Sequence, residues 1–367
     1  MATIAVALTL SSHSNGDHYL AGGIEQIHRL CVRNSFLVSE KHWHRMTHTI
    51  LVTDFDFPDL SIERDHLSDA DIEIAEAQAE TEAEVIEAVK DVRPDALLNQ
   101  YAPITREVFE AGPEIQAVGR YGIGVDTIDL EAATDHDVVA LNVPDYCLDE
   151  VPTHTMALIL SVERRTAQFT AEIESRTWDW TNGRPIYRLR GRTLGLAGFG
   201  KIPKEVAKKA EPFGLEPISY DPYVDEAEMA EHGVEKVSLE ELLDRSDIIS
   251  VHTPLTDETR EMFDEEAFAA MDDDTVIVNT SRGPTIDVDA LHDALSDGEL
   301  RGAGLDVMPE EPPEDHPLFD LEETVLTPHV AWYSEESIVD MRSTIAGDVV
   351  SVLENETPTN PVNEDVL

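Results

Sequence analysis

The sequence predicts an α/β protein built from two open, doubly wound parallel sheets. Short β-branched runs alternate with helical runs from Thr49 to Val143, and again from Thr193 to Thr327. Alternation of this kind lays strands side by side and puts helices on the sheet faces. One long helical run, Glu150–Arg165, separates the two series. The length of 367 residues favours two domains over one. There is no internal repeat of the kind that marks a solenoid.

In the first series the strands are Thr49–Thr53, Ala96–Leu98, Ala117–Tyr121 and Val138–Val143. Each is short and rich in Val, Ile, Leu and Ala, as suits a strand buried on both faces. The helices are Thr81–Lys90, Thr105–Ala111 and Leu130–His136. The first opens on Thr-Glu-Ala-Glu, a capping-box pattern. In the second series the strands are Thr193–Ala197, Ile218–Tyr220, Asp247–Val251, Val276–Asn279, Ala303–Val307 and Thr324–Thr327. Lys204–Ala210 reads as a helix after the first of them, and Ser238 opens Ser-Leu-Glu-Glu-Leu-Leu-Asp-Arg-Ser with a second capping box.

Charge sets the next limits. The chain has 76 acidic against 26 basic residues, a formal charge of −50. A surface so anionic excludes nucleic acid and anionic membrane as partners. The acids are spread along the chain and lysine occurs seven times, so self-repulsion must be screened. A salt-loving cytoplasm would do that, because the Debye length falls to ~3 Å at molar salt. With 41% apolar residues the chain fills cores and is not disordered. Two cysteines, Cys31 and Cys147, exclude a disulfide framework and a four-cysteine metal site. Apolar runs such as Ala2–Leu10 and Met156–Val162 are too short to span a bilayer. Ala2–Leu10 also lacks the flanks of a secretory signal. The expectation is a cytoplasmic protein without a bound metal.

Residues 1–45 differ from the rest. They hold three acids and four bases, a net charge of +1, so the remainder carries −51. Five of the fourteen histidines fall here, at spacings that match no metal-ligand pattern. This segment reads as a leader, with Met46 as the expected start of the domain.

The second series carries the chemistry. The strand Thr193–Ala197 runs into Gly198-Phe199-Gly200-Lys201-Ile202-Pro203 and then a helix. Two glycines at this spacing allow a tight turn and let a pyrophosphate approach the helix N-terminus. Pro203 stands where a third glycine would pack helix on strand, and a first helical turn tolerates it. Asp221 ends the next strand about twenty residues on, where an acid binds ribose hydroxyls and repels a 2′-phosphate, favouring NAD over NADP. Three polar residues follow three later strands: Arg282 in Asn-Thr-Ser-Arg-Gly, Glu311 in Pro-Glu-Glu-Pro-Pro and His329 in Thr-Pro-His-Val-Ala-Trp. The carboxyl edge of a parallel sheet is where such side chains converge on a ligand.

The motifs RYGIGVDTIDLEAA, LNVPDY, HTPLTDETR, NTSRGPTID, AGLDV, EEP and TPHVAW occur here in the order that resembles D-isomer-specific 2-hydroxyacid dehydrogenases. NVPDY and PHVAWYSEES are most similar to the C-terminal binding protein branch, which includes transcriptional corepressors. The resemblance implies a Rossmann NAD-binding domain at 147–329 and a discontinuous, flavodoxin-like substrate domain at 46–146 and 330–367. It implies a homodimer and a small 2-keto or 2-hydroxy acid substrate. Arg282 would grip the substrate carboxylate, His329 would be the general acid and Glu311 its partner. Gly198, Gly200, Lys201, Ile202, Asp221, Thr253, Pro254, Thr280 and Asp306 would hold NAD. Ile123, Gly124, Tyr101 and Trp332 would line the substrate site. The absence of a second basic group near Arg282 in sequence, with two aromatic walls, favours an apolar tail over a phosphorylated one. Val151-Pro152-Thr153-His154 departs from the family pattern by losing an acid, with Pro152 expected in the first turn of its helix. An NAD-responsive binding protein of the corepressor kind is the alternative to an enzyme.

Overall fold

The computed structural model describes residues 48–68, 70–313 and 315–367. The expected leader, its histidines and Cys31 lie outside the described residues. The first sheet has five parallel strands: β1 (His48–Val52), β2 (Ile72–Glu76), β3 (Ala96–Asn99), β4 (Ala117–Arg120) and β5 (Val139–Leu141), in the order β2-β1-β3-β4-β5. Side chains alternate between its faces. Ile50 and Val52 enter one apolar cluster with Ala96 and Leu98, while Leu51 and Leu97 enter the opposite one. Both faces are therefore covered, as a parallel sheet requires.

The second sheet has seven parallel strands: β6 (Thr193–Ala197), β7 (Glu216–Tyr220), β8 (Glu235–Lys236), β9 (Ile248–Val251), β10 (Val276–Asn279), β11 (Gly302–Leu305) and β12 (Thr324–Leu326). Their order is β12-β11-β10-β9-β6-β7-β8. The order reverses between β6 and β9, and ligands bind at such a switch point. Ile249, Val251 and Ile277 face one cluster; Ile248, Val276 and Val278 face the other.

Helix α1 (Ser61–His66), α2 (Glu82–Val92), α3 (Arg106–Ala111) and α4 (Leu130–Asp135) belong to the first series. Thr81 caps α2 and forms the expected box with Glu84. Helix α5 (Glu150–Arg164) packs on β10 and β11, with Pro152 in its first turn. There proline removes an N–H that has no intrahelical acceptor anyway. Its Glu163 is fully buried and pairs with Arg192 and Arg301, which precede β6 and β11. Helix α6 (Thr166–Glu174) follows, then α7 (Lys201–Ala210), α8 (Glu226–Glu231), α9 (Leu239–Arg245), α10 (Glu265–Ala269) and α11 (Val288–Asp297). Ser238 and Glu241 make the second capping box at α9.

The last helix, α12 (Glu335–Leu353), returns to the first sheet and packs on β3, β4 and β5. It is fixed to α1 by a buried carboxylate: Arg342 Nε donates to Glu63 Oε1 at 2.7 Å and Tyr121 Oη donates to the same oxygen at 3.0 Å. Among the described residues no helix is long and apolar enough to cross a membrane.

Two strands differ from the expectation. β2, Ile-Glu-Ile-Ala-Glu, was not among the predicted strands; it is a half-exposed edge strand whose acids point outward. The strand expected at Val138–Val143 is shorter, because Asn142 N already bonds to Asn360 O and Val143 N to Gly122 O, outside the ladder.

Candidate active site

The switch point is built around Gly198. Its φ is +101°, and a Cβ there would stand 3.0 Å from the His252 carbonyl oxygen, so β6 and β9 can part at this point only around glycine. Gly200 then caps the ten-residue α7, and no side chain bonds to the helix's first N–H groups. Such a terminus suits an anion. Lys201 lies at its start, with Nζ 2.5 Å from Asp145 Oδ1. Ile202 packs into the apolar clusters on either side of the turn, and Pro203 is buried in the first turn. Asp221 follows β7 and binds two loops together: Oδ2 accepts from Phe199 N at 2.8 Å and Oδ1 from Tyr223 N at 2.8 Å.

Next to this turn, the Thr253 hydroxyl is buried with no hydrogen-bond partner among the described residues. Pro254 O accepts from Thr259 Oγ1 at 2.6 Å, and Thr280 Oγ1 shares a hydrogen bond of 2.9 Å with Thr155 Oγ1. Burial pushes the imidazole of His252 down to about 3. It is neutral at neutral pH and cannot serve as a proton donor there.

His329 and Glu311 meet: Nδ1 is 2.5 Å from Oε2. Met308 N donates to the other carboxylate oxygen at 2.9 Å. Partial burial pushes the Glu311 carboxyl up. The hydrogen bond and charge of His329, the Met308 amide and the charge of Arg282 outweigh that and hold it below its ordinary value. His329 has φ +51°, a left-handed conformation that a histidine adopts only when its surroundings fix it. Asp306 supplies that fixing. Its Oδ1 accepts from Thr327 Oγ1 at 2.5 Å and Val330 N at 3.0 Å, its Oδ2 from Ala331 N at 2.8 Å, and its carbonyl from His329 N at 2.7 Å.

Arg282 stands on the turn after β10. Asn279 organises that turn, its Nδ2 donating to Arg282 O at 2.9 Å and its Oδ1 accepting from Ser281 N at 2.9 Å. Gly283 lets the turn approach the chain that leads to Glu311; a Cβ there would fall 2.0 Å from the Met308 carbonyl carbon. Arg282 Nε donates to Asp126 Oδ2 at 3.0 Å, and a Cβ on Gly124 would lie 1.7 Å from its Nη2. A cavity of about 910 Å³ opens between the carboxyl edges of the two sheets. Asp54, Asp56 and Tyr101 line it on one side, Asp306, Glu311 and His329 on the other. That volume holds a small ligand with room to spare.

The family model described as D-isomer specific 2-hydroxyacid dehydrogenase, NAD binding domain, matches residues 156–331. Glyoxylate reductase of Korarchaeum cryptofilum is 39% identical over 288 residues, 77% of this chain and 86% of that one. The chain belongs to the D-isomer specific 2-hydroxyacid dehydrogenases. D-3-phosphoglycerate dehydrogenase of Methanocaldococcus jannaschii is 39% identical over 293 residues, 79% of this chain but 55% of that one, so the chain spans about half the length of that relative. A crystal structure of D-lactate dehydrogenase from Aquifex aeolicus, with NAD and lactic acid, superposes with a TM-score of 0.77 at 26% identity, covering 86% of this chain and 99% of that one. These relatives are named as dehydrogenases and reductases, and they give the corepressor-like branch no specific support.

The chain fits its family's cofactor on two observations of its own: the Thr253 hydroxyl, without a partner among the described residues, and the glycine turn that leads into a helix with no side-chain cap. NAD is the cofactor of the family. The structure brings Tyr101, Asp306, Glu311 and His329 to one cavity and Arg282 to Gly124. The Trp332 ring packs against Tyr146 at 6.3 Å and on the cluster of Cys147, Val151 and Ala331. Ile123 packs on the same cluster, and its carbonyl accepts from Asn142 Nδ2 at 2.6 Å.

The sequence reading found no second cation near Arg282; the fold supplies one. Arg120 ends β4, Nη1 donates to Tyr121 O at 2.7 Å, and its buried Nε has no partner. Burial first, and then the like charge of Arg282, hold its guanidinium below the ordinary arginine value. The available signal was the arginine of Arg-Tyr-Gly-Ile-Gly at the end of a predicted strand. Extending that strand through Tyr121 hid it.

Proposed function

We propose that this family member is an NADH-dependent reductase of small 2-keto acids, forming D-2-hydroxy acids. The observation that carries the reading is the His329–Glu311 pair on the wall of the cavity. When bound, NADH supplies the hydride. Gly198, Gly200, Lys201 and Ile202 would hold its pyrophosphate, Asp221 its adenosine ribose, and Thr253, Pro254, Thr280 and Asp306 its nicotinamide half. His329 gives the proton on Nε2 to the carbonyl oxygen as the carbon becomes tetrahedral, so no free alkoxide builds up. Glu311, against Nδ1, fixes the orientation of the ring so that Nε2 faces the cavity. Arg282, with the amides at Ile123 and Gly124, holds the substrate carboxylate, and Arg120 adds a second positive charge to that end.

Tyr101 stands as a wall of the substrate pocket. The acids Asp54, Asp56 and Glu80 line the cavity, and the lining residues include no lysine or arginine among those described. That wall disfavours a phosphorylated tail by like-charge repulsion. Glyoxylate, hydroxypyruvate and small apolar 2-keto acids fit the site better. The substrate domain comprises 46–146 and 330–367 and the cofactor domain 147–329, a division supported by α12 packing on the first sheet and α5 on the second. A homodimer is supported by Trp178 and Trp180, 89% and 68% exposed, after α6, which has no fully buried residue. A cytoplasmic location follows from the cofactor, and the charge of −50 supports a high-salt cytoplasm.

The test is NADH oxidation by the purified protein against a panel of 2-keto acids in about 2 M KCl, where the Debye length is below ~3 Å, and in dilute buffer. Turnover with NADH, far weaker with NADPH and falling as salt is removed, is expected. Binding of NADH with no turnover of any keto acid would overturn the reading.

The pH dependence has a definite sign. A carboxyl held below its ordinary value of 4.5 keeps its charge throughout the range above it and loses it as pH falls through the lowered value. Reduction by the wild type should therefore show no acidic limb from Glu311 between pH 4.5 and neutrality. Glu311→Gln should cut kcat throughout this range, because no carboxylate remains to hold the His329 ring in place. Superimposable pH–rate profiles for the two would contradict this role.

A further inference from the structure

The geometry points to Asp126 as a positioning residue for Arg282, a carboxylate that reaches across the cleft to set which edge of the guanidinium meets the substrate. Asp126 lies on the loop after β4 of the first sheet, and Arg282 on the turn after β10 of the second. Arg282 Nε donates to Asp126 Oδ2 at 3.0 Å, and Nη1 donates to Ser281 O at 2.8 Å. Two acceptors from opposite sides of the cleft thus fix the plane of the guanidinium. They leave Nη2 against Gly124, where a Cβ would come within 1.7 Å of it and within 2.7 Å of Asp126 Oδ2. The donor left over is held against the backbone of the loop whose amides face the carboxylate in the proposed reaction.

Electrostatics points the same way. Arg120 feels the charge of both Arg282 and Asp126, with opposite signs. Without Asp126, the like charges of Arg120 and Arg282 would act on one another with no fixed anion to offset them, and Arg282 would lose the acceptor that holds its Nε. The side chains of Asp126 and Arg282 are 52% and 30% exposed, so the pair adds little to global stability. Its consequence lies in orientation. Because Asp126 occupies Nε and not Nη2, a substrate carboxylate joins the pair without displacing it.

The inference rests on the proposed role of Arg282 in holding the substrate carboxylate. The experiment compares wild type, Asp126→Asn and Asp126→Ala in steady-state reduction of a 2-keto acid by NADH, with Tm and NADH affinity measured alongside. In Asp126→Ala, KM for the keto acid is expected to rise on the order of ten- to a hundred-fold, with kcat, Tm and NADH affinity little changed. Asp126→Asn keeps an acceptor for Nε without the charge and should fall between the two. A KM that stays at the wild-type value or drops, as it would if Asp126 merely competed with substrate, overturns the inference and leaves the reductase reading standing. A wild type that binds NADH but reduces no keto acid overturns both.

Discussion

Replacing His329 by alanine is expected to remove keto-acid reduction by about 10²–10⁴-fold in kcat while NADH still binds. The imidazole is the donor that the geometry places on the cavity wall, held by its contact with Glu311. The buried His252 is too strongly pushed towards its neutral form to replace it. His329 also occupies a turn held by four hydrogen bonds to Asp306, and three of them come from its neighbours Thr327, Val330 and Ala331. The truncated variant should therefore keep the turn, and its NADH affinity, measured by fluorescence titration, should match the wild type. Retention of more than about a tenth of the wild-type kcat would assign the proton to another group.

Removing the buried carboxylate of Glu63 is expected to give the largest loss of stability. Glu63 is completely buried and takes hydrogen bonds from Arg342 and Tyr121. Arg342 is itself 3% exposed and lies over the Phe57 ring at 4.6 Å. Glu63→Ala leaves that guanidinium buried with its anion gone, which costs about 3–5 kcal/mol for a broken buried pair. Chemical unfolding should show this loss. Because α12 closes the first sheet, the same variant should also weaken keto-acid binding more than NADH binding. A variant within about 1 kcal/mol of wild type would mean that water reaches the site and the pair is not a buried one.

Much of the fold was legible because its signals are local. The capping boxes at Thr81 and Ser238 declare helix starts within four residues, and both helices begin there. The continuous apolar runs of β3, β9 and β10 state that both faces of each strand are covered. Strand ends then place Arg282, Glu311 and His329 at one sheet edge, so these three side chains were nameable before their distances were known. Edge structure was less legible. β2 carries as many acids as a solvated loop would, and nothing in five residues says that it pairs with β1.

Long-range pairs were the part that sequence could not carry. Glu63 and Arg342 lie 279 positions apart, and Asp126 and Arg282 lie 156 apart. In a chain with 76 acids, neither aspartate nor glutamate stands out until the fold selects a partner for it. Arg120 was hidden for a different reason: it is the last residue of a strand, and one residue of register decides whether such a side chain enters the site.

Delivery of a proton from the His329 side of this cavity, while hydride arrives on one face of a 2-keto acid, would be read in the handedness of the product. The enzyme would be given NADH and a prochiral 2-keto acid that it turns over, and the hydroxy acid resolved by chiral chromatography against NADH consumed. D-hydroxy acid alone is expected, one molecule for each NADH oxidised. L-hydroxy acid, a racemic product, or NADH consumed without hydroxy acid would contradict it.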